Sequence, residues 1–167
     1  MDTNRKKGFT LLEILIIIII IGIITSMVSG SFFSSLKKGR DSRRKGDLEQ
    51  IQRAVEMYYE DKKAYPTAAA TPGFPFGSSL CQTGPCVSGE KIYMQRVPND
   101  PLTKSSYLYS SNAGADYKMY ACLENDQQIL NYVITPPAGF SCATVCKDKN
   151  NNNITCIWGV SSPNTNP

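Results

Sequence analysis

The chain has 167 residues, 41% of them hydrophobic and 19% charged, with 18 Lys/Arg against 14 Asp/Glu for a net charge of +4. It contains no His, which removes the usual proton shuttle at neutral pH and the commonest metal ligand. The positive charge is local: residues 37–45 read KKGRDSRRK, whereas from Gly46 onward nine Lys/Arg stand against eleven Asp/Glu, or −2, so DNA binding by a basic C-terminal surface is not supported.

The first element is apolar. From Phe9 to Phe33 the only charge is Glu13, and Arg5, Lys6 and Lys7 precede the run. A helix of that length reaches about 37 Å, enough to cross a bilayer core of about 30 Å with some tilt. Three readings compete. A secretory signal peptide needs a shorter apolar core and a small-residue cleavage site, for which Ser29-Gly30-Ser31 is a poor candidate. A plain N-terminal anchor explains the length but not Glu13, since a charge inside a membrane segment is costly and calls for a partner. A chain cut before the run, after Gly8, supplies that partner: Phe9 becomes the N-terminus, and its amine sits four positions from Glu13. Between chains, the same pair fixes the axial register of a helical stack, the best-attested use of a polar group among apolar ones.

Gly8-Phe9-Thr10-Leu11-Leu12-Glu13, behind a short basic leader and ahead of a long apolar helix, resembles the class III signal of type IV pilins and type II secretion pseudopilins. The likeness is strong over residues 1–66 and thins beyond them. It implies that a membrane peptidase cuts after Gly8, making residues 1–8 a leader. It implies methylation of the new N-terminal Phe9 and a role for Glu13 in filament assembly. Many pilins carry a proline later in the apolar helix. The corresponding position here is Gly30, with Gly22 one step earlier, each weakening a helix by about 1 kcal/mol relative to Ala. The expectation is a softened helix between Gly22 and Gly30, or close helix packing at the same glycines.

Past Phe33 the pattern turns amphipathic. Leu48, Ile51, Val55 and Tyr58 recur at helical spacing, with Leu36, Ala54 and Tyr59 nearby. One helix from Thr10 to Lys62 is predicted, ended by Ala64-Tyr65-Pro66. KKGRDSRRK reads as a solvated helix face, as a contact with lipid head groups, or as a match for acidic residues of neighbouring subunits. The positive-inside rule alone would keep it in the cytosol; the leader motif and the cysteines argue for the other side.

Residues 66–91 read as loop. Strands are expected around Tyr107–Ser110, Tyr117–Leu123, Ile129–Ile134 and Thr155–Val160, with turns at Asn112-Ala113-Gly114 and Asn125-Asp126 and a hairpin tip in KDKNNNNITC. The segment from Val97-Pro98-Asn99-Asp100-Pro101 to Tyr117 resembles the approach to the sheet of major pseudopilins. All six cysteines, Cys81, Cys86, Cys122, Cys142, Cys146 and Cys156, follow the apolar run. That reads as disulfides in an oxidising compartment, or as reduced thiols if this part faces the cytosol. The local set Cys81–Cys86, Cys122–Cys142 and Cys146–Cys156 is the working assignment.

No Walker A loop, HExxH, GxSxG or CxxC occurs, so an enzyme is not expected, nor a cofactor. The C-x4-C and C-x3-C spacings fit zinc poorly. Asp100, Asp116, Glu124, Asn125 and Asp126 carry oxygens suited to calcium, but no loop is acidic enough to demand it, so no metal is assigned.

The fold expected is α+β and type IV pilin-like: a helix apolar over 9–33 and amphipathic over 34–62, packed on an antiparallel head of residues 63–167. The resemblance implies a structural subunit of a type IV pilus or pilus-like filament. A pseudopilin of a type II secretion or DNA-uptake system and a membrane-anchored binding protein without a filament are the alternatives. Implied partners are copies of the chain, prepilin peptidase, an assembly platform with its ATPase, and membrane lipid before assembly. The implied location is the cytoplasmic membrane with the N-terminus inside, then the cell surface.

Overall fold

The computed structural model describes residues 8–67, 74–82, 86–130 and 134–167. It divides into two compact units, Met1–Leu36 and Lys37–Pro167. Helix α1 runs Leu11–Lys62 through both. It stops where Lys63 adopts a left-handed φ of 56° and its amide bonds Tyr59 O at 2.7 Å, closing the last turn one residue before Ala64-Tyr65-Pro66.

The second unit has a layer of helix on sheet. Strand β3 (Leu108–Ser111) pairs antiparallel with β4 (Tyr117–Cys122), which pairs antiparallel with β8 (Ile157–Ser161). Side chains alternate across a strand. Tyr117, Met119 and Ala121 of β4 therefore share one face, and they join Leu48, Ile51, Ala54 and Val55 of α1 in the main core. Tyr58 and Tyr59 pack at its margin. Tyr120, on the other face, meets the Phe140 ring at 6.0 Å between centroids. The β3–β4 turn needs Gly114 at φ 83°: a Cβ there would come within 3.1 Å of Tyr65 O, and Gly114 O accepts from the Tyr65 amide at 2.8 Å.

Two smaller sheets complete the head. β1 (Leu80–Cys81) pairs with β2 (Ile92–Met94), and β6 (Val145–Asp148) lies between β5 (Ile129–Leu130) and β7 (Asn153–Thr155). The β5–β6 pairing is parallel, so the head is not wholly antiparallel. A second core of Leu123, Leu130, Cys146 and Cys156 lies here, with Ile154 and Trp158 packed against it.

Several sequence expectations shift. The segment 66–91 is not all loop, because β1 falls within it. The strand expected at Ile129–Ile134 is described only as Ile129–Leu130, with 131–133 outside the described residues. The run Thr155–Val160 is two strands in different sheets. Cys156 breaks it: its amide bonds Thr144 O, its carbonyl accepts from the Leu123 amide, and its sulfur joins Cys146. The hairpin tip between Cys146 and Cys156 is the β6–β7 turn, where Asp148 Oδ1 accepts from the amides of Asn150 and Asn152, both at 2.8 Å.

Candidate assembly site

At the start of α1, Thr10 and Glu13 form a capping box. The Glu13 amide donates to Thr10 Oγ1 at 3.2 Å, while Glu13 Oε2 accepts from the Thr10 amide at 2.8 Å and from its hydroxyl at 2.9 Å. Both satisfy donors that a helix start leaves open. Phe9 follows Gly8 through a peptide bond, so its nitrogen is an amide and not an amine, and Glu13 is held by Thr10. Phe9 is itself 81% exposed.

Every Leu and Ile from Leu11 to Ile24 is exposed. A run of this kind left bare marks a surface for lipid or another protein. Nothing lies within 4 Å of a Cβ placed on Gly22, so α1 has room there for a close neighbour. Gly30 lies within residues 28–30, whose surroundings fall outside the described residues. Either side of them, no single helical piece is long and apolar enough to cross a membrane; Leu11–Met27 and Ser31–Lys62 meet that test together.

The basic stretch is not simply a solvated face. Arg44 is buried, and its guanidinium meets three carboxylates: Asp41 Oδ1 at 2.9 Å, Asp100 Oδ2 at 2.6 Å and Glu124 Oε1 at 2.6 Å. Arg40 grips Glu124 Oε2 at 2.6 Å. Asp41, also buried, accepts the amides of Glu124 at 2.9 Å and Asn125 at 2.8 Å. Burial works against the charge of Arg44, but hydrogen bonds to Asp100 and Glu124 outweigh it and raise its pKa. Burial likewise opposes ionisation of Asp100; the Arg44 bond and the amides of Thr103 and Leu102 prevail and bring it down to about 2. Bonds from Arg40 hold Glu124 low against its burial. Two of the calcium candidates, Asp100 and Glu124, therefore serve arginine. Among the described residues, no group of three or more His, Cys, Asp or Glu is arranged to hold a metal.

Four tyrosines fasten α1 further along through three of its carboxylates. Tyr107 donates to the buried Asp47 at 2.8 Å. Tyr117 and Tyr65 donate to the two oxygens of Glu56 at 2.8 and 3.1 Å. Tyr93 donates to Asp61 at 2.8 Å. Burial, aided by these carboxylates, raises the phenols, with Tyr65 and Tyr93 at about 12, so they stay protonated donors.

These groups were missed in sequence, although a signal existed. Asp41, Arg44, Leu48, Ile51 and Val55 follow one 3-4-3-4 spacing, so the core stripe of α1 continues into the charged segment. The cysteines pair as Cys81–Cys86, Cys122–Cys142 and Cys146–Cys156.

Comparison with known proteins places the chain among sequence relatives. Residues 3–29 match the prokaryotic N-terminal methylation motif, and residues 31–128 match type II secretion system protein G. The type II secretion system core protein G of Escherichia coli K12 is 35% identical over 127 residues, covering 70% of this chain and 81% of that protein. The protein of the same description in Pseudomonas aeruginosa is 34% identical over 121 residues, 72% and 85%. That in Aeromonas hydrophila is 29% identical over 101 residues, 60% and 71%. No solved structure gives a significant match.

Proposed function

The chain belongs to the type II secretion system protein G family, whose members are structural subunits and not enzymes, and on that footing we propose that it is a filament-forming pseudopilin. In this reading prepilin peptidase removes residues 1–8 and methylates Phe9. The segment 9–33 is held in the cytoplasmic membrane until an assembly platform, driven by its own ATPase, adds the subunit to a helical stack of copies. The relatives favour a secretion pseudopilus over a type IV pilus.

The observation that carries the reading is the bare Leu/Ile surface of α1 with one carboxylate at its start. Burial of that surface between subunits supplies cohesion at about 25 cal/mol per Å². Cohesion of this kind has no direction, so a polar pair is needed to set register. Cleavage at Gly8 creates an amine at Phe9, one residue from the capping box. Glu13 then exchanges Thr10 for the amine of a neighbouring chain. The three disulfides support a head on the oxidising side of the membrane.

Glu13→Ala tests this. The variant is expected to lose its leader normally, to accumulate in the membrane and to form no filaments. Filaments of normal length and number from Glu13→Ala would overturn the register role.

A further inference from the structure

The six cations of residues 37–45 are sorted by the fold. Arg40 and Arg44 turn to Glu124 and Asp100, and Lys45 Nζ sits 4.7 Å over the Trp158 ring and 3.2 Å from Gln128 Oε1. Lys37, Lys38 and Arg43 are exposed, and no ion pair among the described residues involves them.

Their placement is a collar, not a stripe. At about 100° per residue, the three lie about 100°, 140° and 120° apart around the axis of α1, within about 9 Å of its length. A neighbouring subunit covers one side of a helix, whereas a layer of head groups surrounds it. The apolar run ends at Phe33, and Lys37 follows within about 6 Å of helix. With 9–33 in the bilayer core, the collar lies at head-group depth, where lysine and arginine extend their charges to phosphate.

We propose that Lys37, Lys38 and Arg43 bind the phosphates of anionic phospholipids encircling α1 while the subunit waits in the membrane. The inference rests on the reading that residues 9–33 span the bilayer. It also assigns two tasks within one basic stretch. Arg40, Arg44 and Lys45 hold the head, and the other three hold the lipid.

The test uses the full chain, one per nanodisc, in phosphatidylcholine alone or mixed with phosphatidylglycerol. The rate at which an amine-reactive reagent modifies Lys37 and Lys38 is read by peptide mass spectrometry against Lys149 at the exposed β6–β7 tip. In discs with phosphatidylglycerol, both lysines are expected to react about five-fold more slowly, as for a contact near a charged surface, with recovery at high salt. Equal rates in the two lipids would overturn the inference and leave the span reading standing. Protection that arises only when several chains share a disc would assign the collar to acidic residues of a second copy and overturn it. Failure to enter either kind of disc would overturn the span reading and this inference together.

Discussion

Arg44 Nε on α1 lies 2.6 Å from Asp100 Oδ2, across 56 residues of sequence. The same guanidinium reaches Asp41 and Glu124, so one side chain joins the helix to the loop before β3 and the loop after β4. A buried ion cluster of this kind adds little net stability over an apolar core, but removing one member leaves uncompensated charge.

Arg44→Met is therefore expected to destabilise the head by about 3–5 kcal/mol, since it leaves Asp41, Asp100 and Glu124 facing one another. In the detergent-solubilised full chain, this lowers the melting temperature by on the order of 10 °C. Arg44→Met combined with Asp100→Asn should recover part of the loss. A single variant that melts like wild type would remove the cluster from the account.

The same cluster predicts acid sensitivity. Asp100 titrates at about 2 in the folded head, below the ordinary Asp value of about 4, so the unfolded chain binds the proton first. Its contribution, about 2 kcal/mol, is fully present above about pH 4 and is lost as pH falls toward 2. Glu124 is shifted in the same direction. Unfolding free energies measured by denaturant from pH 2 to 7 should decline below pH 4, and Asp100→Asn should flatten that decline.

The tyrosine contacts differ in what remains after removal. Tyr107→Phe leaves Asp47 buried without that hydroxyl and is expected to cost about 1–3 kcal/mol. Tyr117→Phe leaves Glu56 with Tyr65, so a smaller loss, about 1 kcal/mol, is expected. Parallel denaturant curves on the two variants check the order; the reverse order contradicts the burial argument.

The disulfides should also separate. Both sulfurs of Cys146–Cys156 belong to buried residues of the second core, whereas Cys86 is exposed on a loop. Replacing Cys146 and Cys156 by Ser is expected to cost about 2–5 kcal/mol and to loosen β6 and β7. Replacing Cys81 and Cys86 should cost less. Hydrogen exchange of the β6 and β7 amides gives the local readout.

The long helix was legible in sequence because its 52 residues carry one apolar run and then a regular stripe. The central hairpin was legible because Tyr109, Tyr117 and Met119 alternate around a turn that holds Gly114. β1 and β2 were not, since strands of two or three residues have too little length to show a period. The charge cluster escaped for a different reason. Arginine and aspartate at core-stripe positions look like a solvated face until their partners are known. Those partners, Asp100 and Glu124, lie in loops whose placement depends on the whole head. The Thr10–Glu13 box was readable from T-x-x-E alone, since Thr10 is a nearer partner for Glu13 in the chain than the Phe9 nitrogen.

The most direct measurement is peptide and intact mass spectrometry on subunits recovered from sheared filaments. The account predicts a chain that begins at Phe9, carries one added methyl group at its amine, and is six protons light for its three disulfides. A chain that begins at Met1 or Asp2, or one found only in membranes with free thiols, would contradict it.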